Sequence, residues 1–169
     1  IFLKRLNVKK INLIGNLKFI ERNETKYPEY EKKLFLNLKK FKTFVAASTH
    51  NSEELLTAKT HILLKRKYKN IITIIIPRHI HRVDEIINEM NKLQINVTKH
   101  SSKKKNLHNT DIYIVDTFGE SKKFYKIATT VFVGGSIADK GGQNPLEPAR
   151  FGTKILHGPN IGNFREVYK

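Results

Sequence analysis

Apolar positions along this chain keep switching between two spacings. From Tyr30 to Phe41 they fall at Leu34, Phe35, Leu38 and Phe41, the three-and-four rhythm of an amphipathic helix. Thr43 to Ala47 is a short apolar run that reads as a buried strand. Thr49-His50-Asn51-Ser52-Glu53-Glu54 then supplies capping and acidic first-turn residues for a helix reaching about Tyr68. Asn70 to Ile76 is a continuous β-branched run, as expected of a strand covered on both faces. After Pro77-Arg78-His79 the pattern predicts a helix over Val83 to Leu93 and a strand over Ile95 to Lys99. A basic loop over Ser101 to Thr110 and a strand over Asp111 to Asp116 follow. Gly119-Glu120 opens a helix carrying Phe124, Tyr125, Ile127 and Ala128, and Thr130 to Val133 reads as a strand. A helix to about Gly152 and a last strand over Lys154 to Leu156 complete the pattern. Upstream, Lys10 to Leu17 alternates weakly around Ile11, Leu13 and Ile14 as a strand, and polar Glu21 to Pro28 reads as a connector.

Strands alternating with helices predict an α/β fold, a Rossmann-like parallel sheet with helices on both faces. Ligands in such sheets sit outside the carboxyl ends of the strands. Four polar clusters fall at predicted strand ends: Ser48-Thr49-His50, Pro77-Arg78-His79, Thr117-Phe118-Gly119-Glu120 and Gly134-Gly135-Ser136. Their convergence turns four weak signals into one predicted site.

The densest signal is Phe132-Val-Gly-Gly-Ser-Ile-Ala-Asp-Lys-Gly-Gly-Gln-Asn-Pro-Leu-Glu-Pro-Ala-Arg-Phe-Gly152. Glycines let the backbone approach a ligand closely, and Asn144-Pro145 marks a helix start whose free N–H groups attract anions. A phosphorylated ligand is therefore expected against Gly134, Gly135 and the Asn144 helix start. Arg78 suits a phosphate or carboxylate, because a guanidinium binds such groups in a fork. Glu120 is either a first-turn helix acid or an acceptor for a sugar hydroxyl. Glu147 either contacts a ribose or sugar hydroxyl or closes a capping box with Asn144. His50 reads equally as a surface or capping histidine and as a functional one, while His81 and Arg82 read either as surface residues or as residues supporting the site from behind.

Charge changes the picture less than its size suggests. The 169 residues hold 32 Lys and Arg against 15 Asp and Glu, a formal charge of +17. Lys9-Lys10, Lys32-Lys33, Lys39-Lys40 and Lys103-Lys104-Lys105 are scattered, with no aromatic residues interleaved for stacking on bases. Nucleic acid is therefore not expected as a partner, and a general attraction to anionic surfaces is. The absence of cysteine excludes disulfides and thiolate metal sites. The histidines lack the helical pairing with a third ligand that a metal centre needs, so no metal is expected. The longest apolar run, Ile71 to Pro77, is far shorter than a membrane span.

In order, the chain carries Gly15-Asn16-Leu17-Lys18-Phe19, Ala47-Ser48-Thr49-His50 with Glu53-Glu54, and Pro77-Arg78-His79 with Arg82. Val115-Asp116-Thr117-Phe118-Gly119-Glu120, Phe132-Val133-Gly134-Gly135-Ser136, Gly142-Gln143-Asn144-Pro145-Leu146-Glu147-Pro148-Ala149 and Asn163-Phe164-Arg165-Glu166 follow. From about Lys10 to Glu166 this series resembles the C-terminal half of the 3-deoxy-D-manno-octulosonic acid (Kdo) transferases of lipid A assembly. The resemblance implies the C-terminal domain of a GT-B glycosyltransferase, with residues 1–28 ending an N-terminal domain and its connector and 29–169 binding the donor. It implies transfer of Kdo from CMP-Kdo to a lipid A precursor at the cytoplasmic face of the inner membrane, without a metal or cofactor. CMP contacts carried over by motif fall on Pro77, Arg78, Phe118, Gly119, Glu120, Asn144, Pro145, Leu146 and Glu147. Ser48, His50, Gly134, Gly135 and Ser136 are implied to line the same pocket, and Lys18 to stabilise transition-state charge. Phe118 stands where many relatives have methionine. The family's general base belongs to the N-terminal domain, so the chain is expected not to turn over alone. Two other readings make different predictions. A UDP-sugar enzyme of similar fold would prefer UDP to CMP, and a basic nucleic-acid module would bind with steep salt dependence.

Overall fold

The computed structural model describes residues 29–168. Helix α1 (Glu29–Leu38) precedes β1 (Lys42–Thr49), and α2 (Glu53–Lys67) leads to β2 (Ile71–Pro77). Then come α3 (Val83–Lys92), β3 (Val97–Lys99), β4 (Ile112–Ile114), α4 (Ser121–Tyr125), β5 (Thr130–Val133), α5 (Leu146–Ala149) and β6 (Lys154–His157). The six strands form one sheet in the order β3-β4-β2-β1-β5-β6, every neighbouring pair parallel. From β1 the chain passes to β2, on to the edge strand β3 and back to β4 between them, then crosses to β5 and β6 on the other side of β1. The reversal falls between β1 and β5, where a crevice forms at the carboxyl ends.

The β-branched run of β2 is explained by cover on both faces. Ile72, Ile74 and Ile76 pack with Phe35, Leu38, Tyr113 and Phe124, while Ile75 packs oppositely with Ala58, Ile86 and Met90. Successive strand side chains point to opposite faces, so a strand between two helical layers must be apolar throughout. Thr73 breaks the run, and its hydroxyl lies 2.8 Å from Nδ1 of His61 on α2. His61 Nε2 in turn lies 3.5 Å from Asp111 Oδ1, and Asp111 also pairs with Lys65.

Burial lowers the His61 pKa against the opposing pull of Asp111, and burial also lowers that of His100 against Glu120. Unfolded histidine titrates near pH 6.5, so below that pH the unfolded chain binds more protons than the folded one. Stability is therefore complete above about pH 6.5 and declines as pH falls toward the folded values. The melting temperature is expected to hold from pH 8 to 7 and to drop from 6.5 to 5, with a shallower drop in His61→Asn. Burial raises the Glu54 pKa, a contribution of opposite sign at lower pH that cancels in this comparison. A flat wild-type profile down to pH 5.5 contradicts the assignment.

Several elements are shorter than their periodicity predicts. β3 begins at Val97 rather than Ile95, because the Asn96 N–H donates to Asp111 Oδ2 at 3.0 Å instead of joining the sheet. The helix expected to run to Gly152 is only the single turn of α5. Pro145 stands at its cap and Pro148, which has no N–H, inside it; the chain turns off at Gly152 with φ +69°. The strand expected over residues 10–17 lies outside the described residues.

Candidate functional site

β1 does not end as a regular strand. Its register against β2 slips between Ala47 and Thr49, and Ser48 takes a φ of +54°, in the left-handed region that serine rarely adopts. A bulge of this kind re-aims a side chain at a sheet edge. Hydrogen bonds hold it from both neighbouring strands: Gly134 N–H donates to Ala47 O at 2.8 Å and Arg78 N–H to Thr49 O at 2.9 Å. Gly134 has to be glycine, since a Cβ there would stand 2.5 Å from Ser48 O and 2.8 Å from Thr49 Cα.

Beside these strand ends, under α4 and α5, opens a cavity of about 340 Å³, within the range of small-ligand sites. Ser48, Arg78, Asn144 and Glu147 line it, so the fold does bring these sequence-derived candidates together. Among the described residues neither Arg78 nor Glu147 forms an ion pair, which leaves a guanidinium and a carboxylate facing one cavity uncommitted. Asn144 Oδ1 accepts from the Leu146 N–H at 3.1 Å and so caps α5 from outside. Gln143, Ser121, Tyr125 and Phe164 are also in the lining and were not singled out from the sequence as site residues. The sequence signal for Gln143 and Phe164 was their place inside two of the quoted motifs. Tyr125 reads in the sequence only as an apolar helix position. Burial, with the Glu147 carboxylate second, pushes its phenol well above the usual range, so it stays a neutral hydrogen-bonding group.

The glycine amides do not play the expected part. Gly134 N–H is spent on Ala47 O, and Gly135 N–H donates to Glu53 Oε2 at 2.8 Å. The same carboxylate accepts from His50 N–H at 2.9 Å, Ile137 N–H at 3.0 Å and Ala138 N–H at 3.2 Å, and Glu53 is wholly buried. The loop after β5 is indeed an anion-binding nest, but the anion it binds is a side chain of the protein. Ser136 is structural as well: buried, its Oγ donates to Val133 O at 2.6 Å and accepts from Gly158 N–H at 2.9 Å.

Other candidates are placed apart from this cavity. Glu120 turns to Lys123 at 2.7 Å and toward His100 at 3.9 Å, on the wall of a separate cavity under the basic loop. Glu120 stands at the cap of α4, one residue before the first turn, and the ion pair holds it there. Phe118 is 83% exposed, and Gly119 beside it turns the chain with φ +79°. Pro77 is the buried end of β2, and Pro145 and Leu146 begin α5, so they position Arg78 and Glu147 without lining the cavity. His50 faces a neighbouring cavity with His79, its pKa lowered by burial despite Glu53, with His79, Lys140 and Arg78 adding to the shift. Lys18 lies outside the described residues.

No family model matches the chain. It is 31% identical over 161 residues to the 3-deoxy-D-manno-octulosonic acid transferase of Haemophilus influenzae, a match covering 95% of this chain and 38% of that protein. The chain spans about a third of the length of the curated relatives it matches. Among solved structures it resembles the C-terminal CMP-Kdo binding domain of WaaA from Acinetobacter baumannii. The TM-score is 0.74 and the identity 26%, over 80% of this chain and 74% of that one. Trehalose-6-phosphate synthase, at 14% identity, covers 89% of this chain and 36% of its own with a TM-score of 0.57, a likeness of fold alone. The sheet is thus that of the C-terminal domain of a GT-B glycosyltransferase. By sequence along nearly its whole length the chain is similar to the 3-deoxy-D-manno-octulosonic acid transferases, and by fold to the C-terminal CMP-Kdo binding domain of one of them.

Proposed function

We propose that the chain is the donor-binding portion of a glycosyltransferase that moves Kdo from CMP-Kdo to a lipid A precursor. The observation that carries this reading is the cavity at the β1–β5 reversal, where Arg78 and Glu147 face each other's space with no ion pair among the described residues. Arg78 meets the phosphate and Glu147 accepts from the hydroxyls of the nucleoside sugar, which keeps the carboxylate away from the anion. In the transfer, the acceptor hydroxyl oxygen bonds to the anomeric carbon as the bond from that carbon to the CMP phosphate breaks. The electron pair leaves with the phosphate, and Arg78 stabilises the charge that develops there. The resemblance adds Lys18 for the same charge, and assigns the hydroxyl proton to a carboxylate of the family's N-terminal half.

Among the described residues no helix is long and apolar enough to cross a membrane. Contact with the inner-membrane surface is supported by the charge of +17. Calorimetry on this chain tests the reading: CMP binds, UDP binds more weakly, and Arg78→Ala weakens CMP at least tenfold, the loss of one charge-assisted contact. Unchanged affinity in the variant removes Arg78 from the site. Equal or tighter binding of UDP removes the cytidine nucleotide.

A further inference from the structure

Against the first cavity lies a second, of about 460 Å³, lined by His50, Asn51, Ser52, His79, Arg82 and Lys140 among others. The two share a ridge made by the ends of β1 and β2. Ser48 lines the first and His50 the second; Arg78 lines the first and His79 the second. The second is one-sided in charge, since among the described residues no carboxylate lines it. Three nearby acids are engaged elsewhere, Glu53 by backbone N–H groups, Glu54 by Arg82 at 3.1 Å and Glu85 by Arg82 at 3.3 Å, and Asp139 next to Lys140 is exposed and outside the lining. The His50 and His79 rings stand edge to face with centroids 5.6 Å apart. His50 Nε2 and Arg82 Nη2 are buried and have no hydrogen-bond partner among the described residues. Buried donors left unpaired are costly, and in native proteins they call for an explanation.

We propose that this second cavity takes the carboxylate of the donor's acid sugar while the first holds its nucleoside monophosphate; this rests on the function proposed above. In a keto-acid sugar such as an octulosonic acid, the carboxylate is attached to the same anomeric carbon that carries the phosphate. Two anions therefore lie a few bonds apart and cannot share Arg78 alone. A second cationic pocket across a one-residue step, from Arg78 to His79, fits that arrangement. Lys140 supplies a charge-assisted contact and His79 a hydrogen bond, and the neutral nucleotide sugars of other transferases gain nothing from the lysine.

The test measures the affinity of this chain for CMP, CDP and CMP-Kdo by calorimetry, in wild type, His79→Ala and Lys140→Ala. Both side chains are exposed, and circular dichroism checks that the variants fold. Wild type is expected to bind CMP-Kdo about tenfold tighter than CMP. Each variant loses most of that gain and keeps its affinity for CMP. Four results overturn the proposal: no gain for CMP-Kdo in wild type, a gain that survives both substitutions, a fall in CMP affinity equal to that in CMP-Kdo, or the same Lys140-dependent gain for CDP. The last would make the cavity a phosphate site. In each of these cases CMP binding itself leaves the nucleotide reading standing, whereas failure of wild type to bind CMP removes both.

Discussion

Glu53→Ala is expected to cost about 4 kcal/mol of folding stability, an unusually large effect for one polar substitution. Four backbone N–H groups, of His50, Gly135, Ile137 and Ala138, lose their acceptor at once in a wholly buried place. An unsatisfied buried donor costs about 1–3 kcal/mol, and water entering the space left by the side chain recovers only part of the sum. Glu53→Gln should cost about half as much, because its one remaining oxygen still serves two donors while its NH₂ opposes the others. Urea unfolding midpoints measure both. A loss below about 1 kcal/mol for alanine would mean that the glycine loop holds its shape without the carboxylate.

Gly134→Ala follows in size, at about 3 kcal/mol. The added methyl meets only backbone, 2.5 Å from Ser48 O and 2.8 Å from Thr49 Cα, so no side chain can swing away and β1 must part from β5. Ser48 moves with the bulge, so the affinity for CMP is expected to fall in the same variant. Gly152→Ala is the control. Its φ of +69° imposes a conformational cost of about 1 kcal/mol, but nothing lies within 4 Å of the new methyl, and CMP binding should not change. Equal stability losses at the two glycines would show that conformation, not space, governs Gly134.

The sequence reading reached the parallel sheet because its signals are local. The Asn70 to Ile76 run identified a doubly covered strand, and the structure shows Ile74 and Ile75 buried against opposite layers. The position of Arg78 was legible for the same reason: a cation directly after a buried strand has to emerge at its carboxyl end. Glu120 shows the limit. Its neighbours in sequence, Phe118 and Gly119, placed it near a strand end, but its direction depends on Lys123 and His100, and only packing brings the latter close.

Residue spacing along the chain thus determined the elements, the parallel class of the sheet and the end at which a ligand can bind. All three follow from apolar periodicity and from the geometry of strand–helix–strand units. Tertiary structure alone decided the strand order, the single turn of α5, the inclusion of Tyr125 in the cavity beside Arg78 and Glu147, and the division of the cationic residues between two cavities. It also decided what the glycine loop does. Spacing shows that donors are gathered between Gly134 and Ala138, but their acceptor, Glu53, stands more than 80 residues earlier. A hydrogen bond of that separation leaves no periodic trace in the sequence, because it exists only once the sheet has brought the ends of β1 and β5 together.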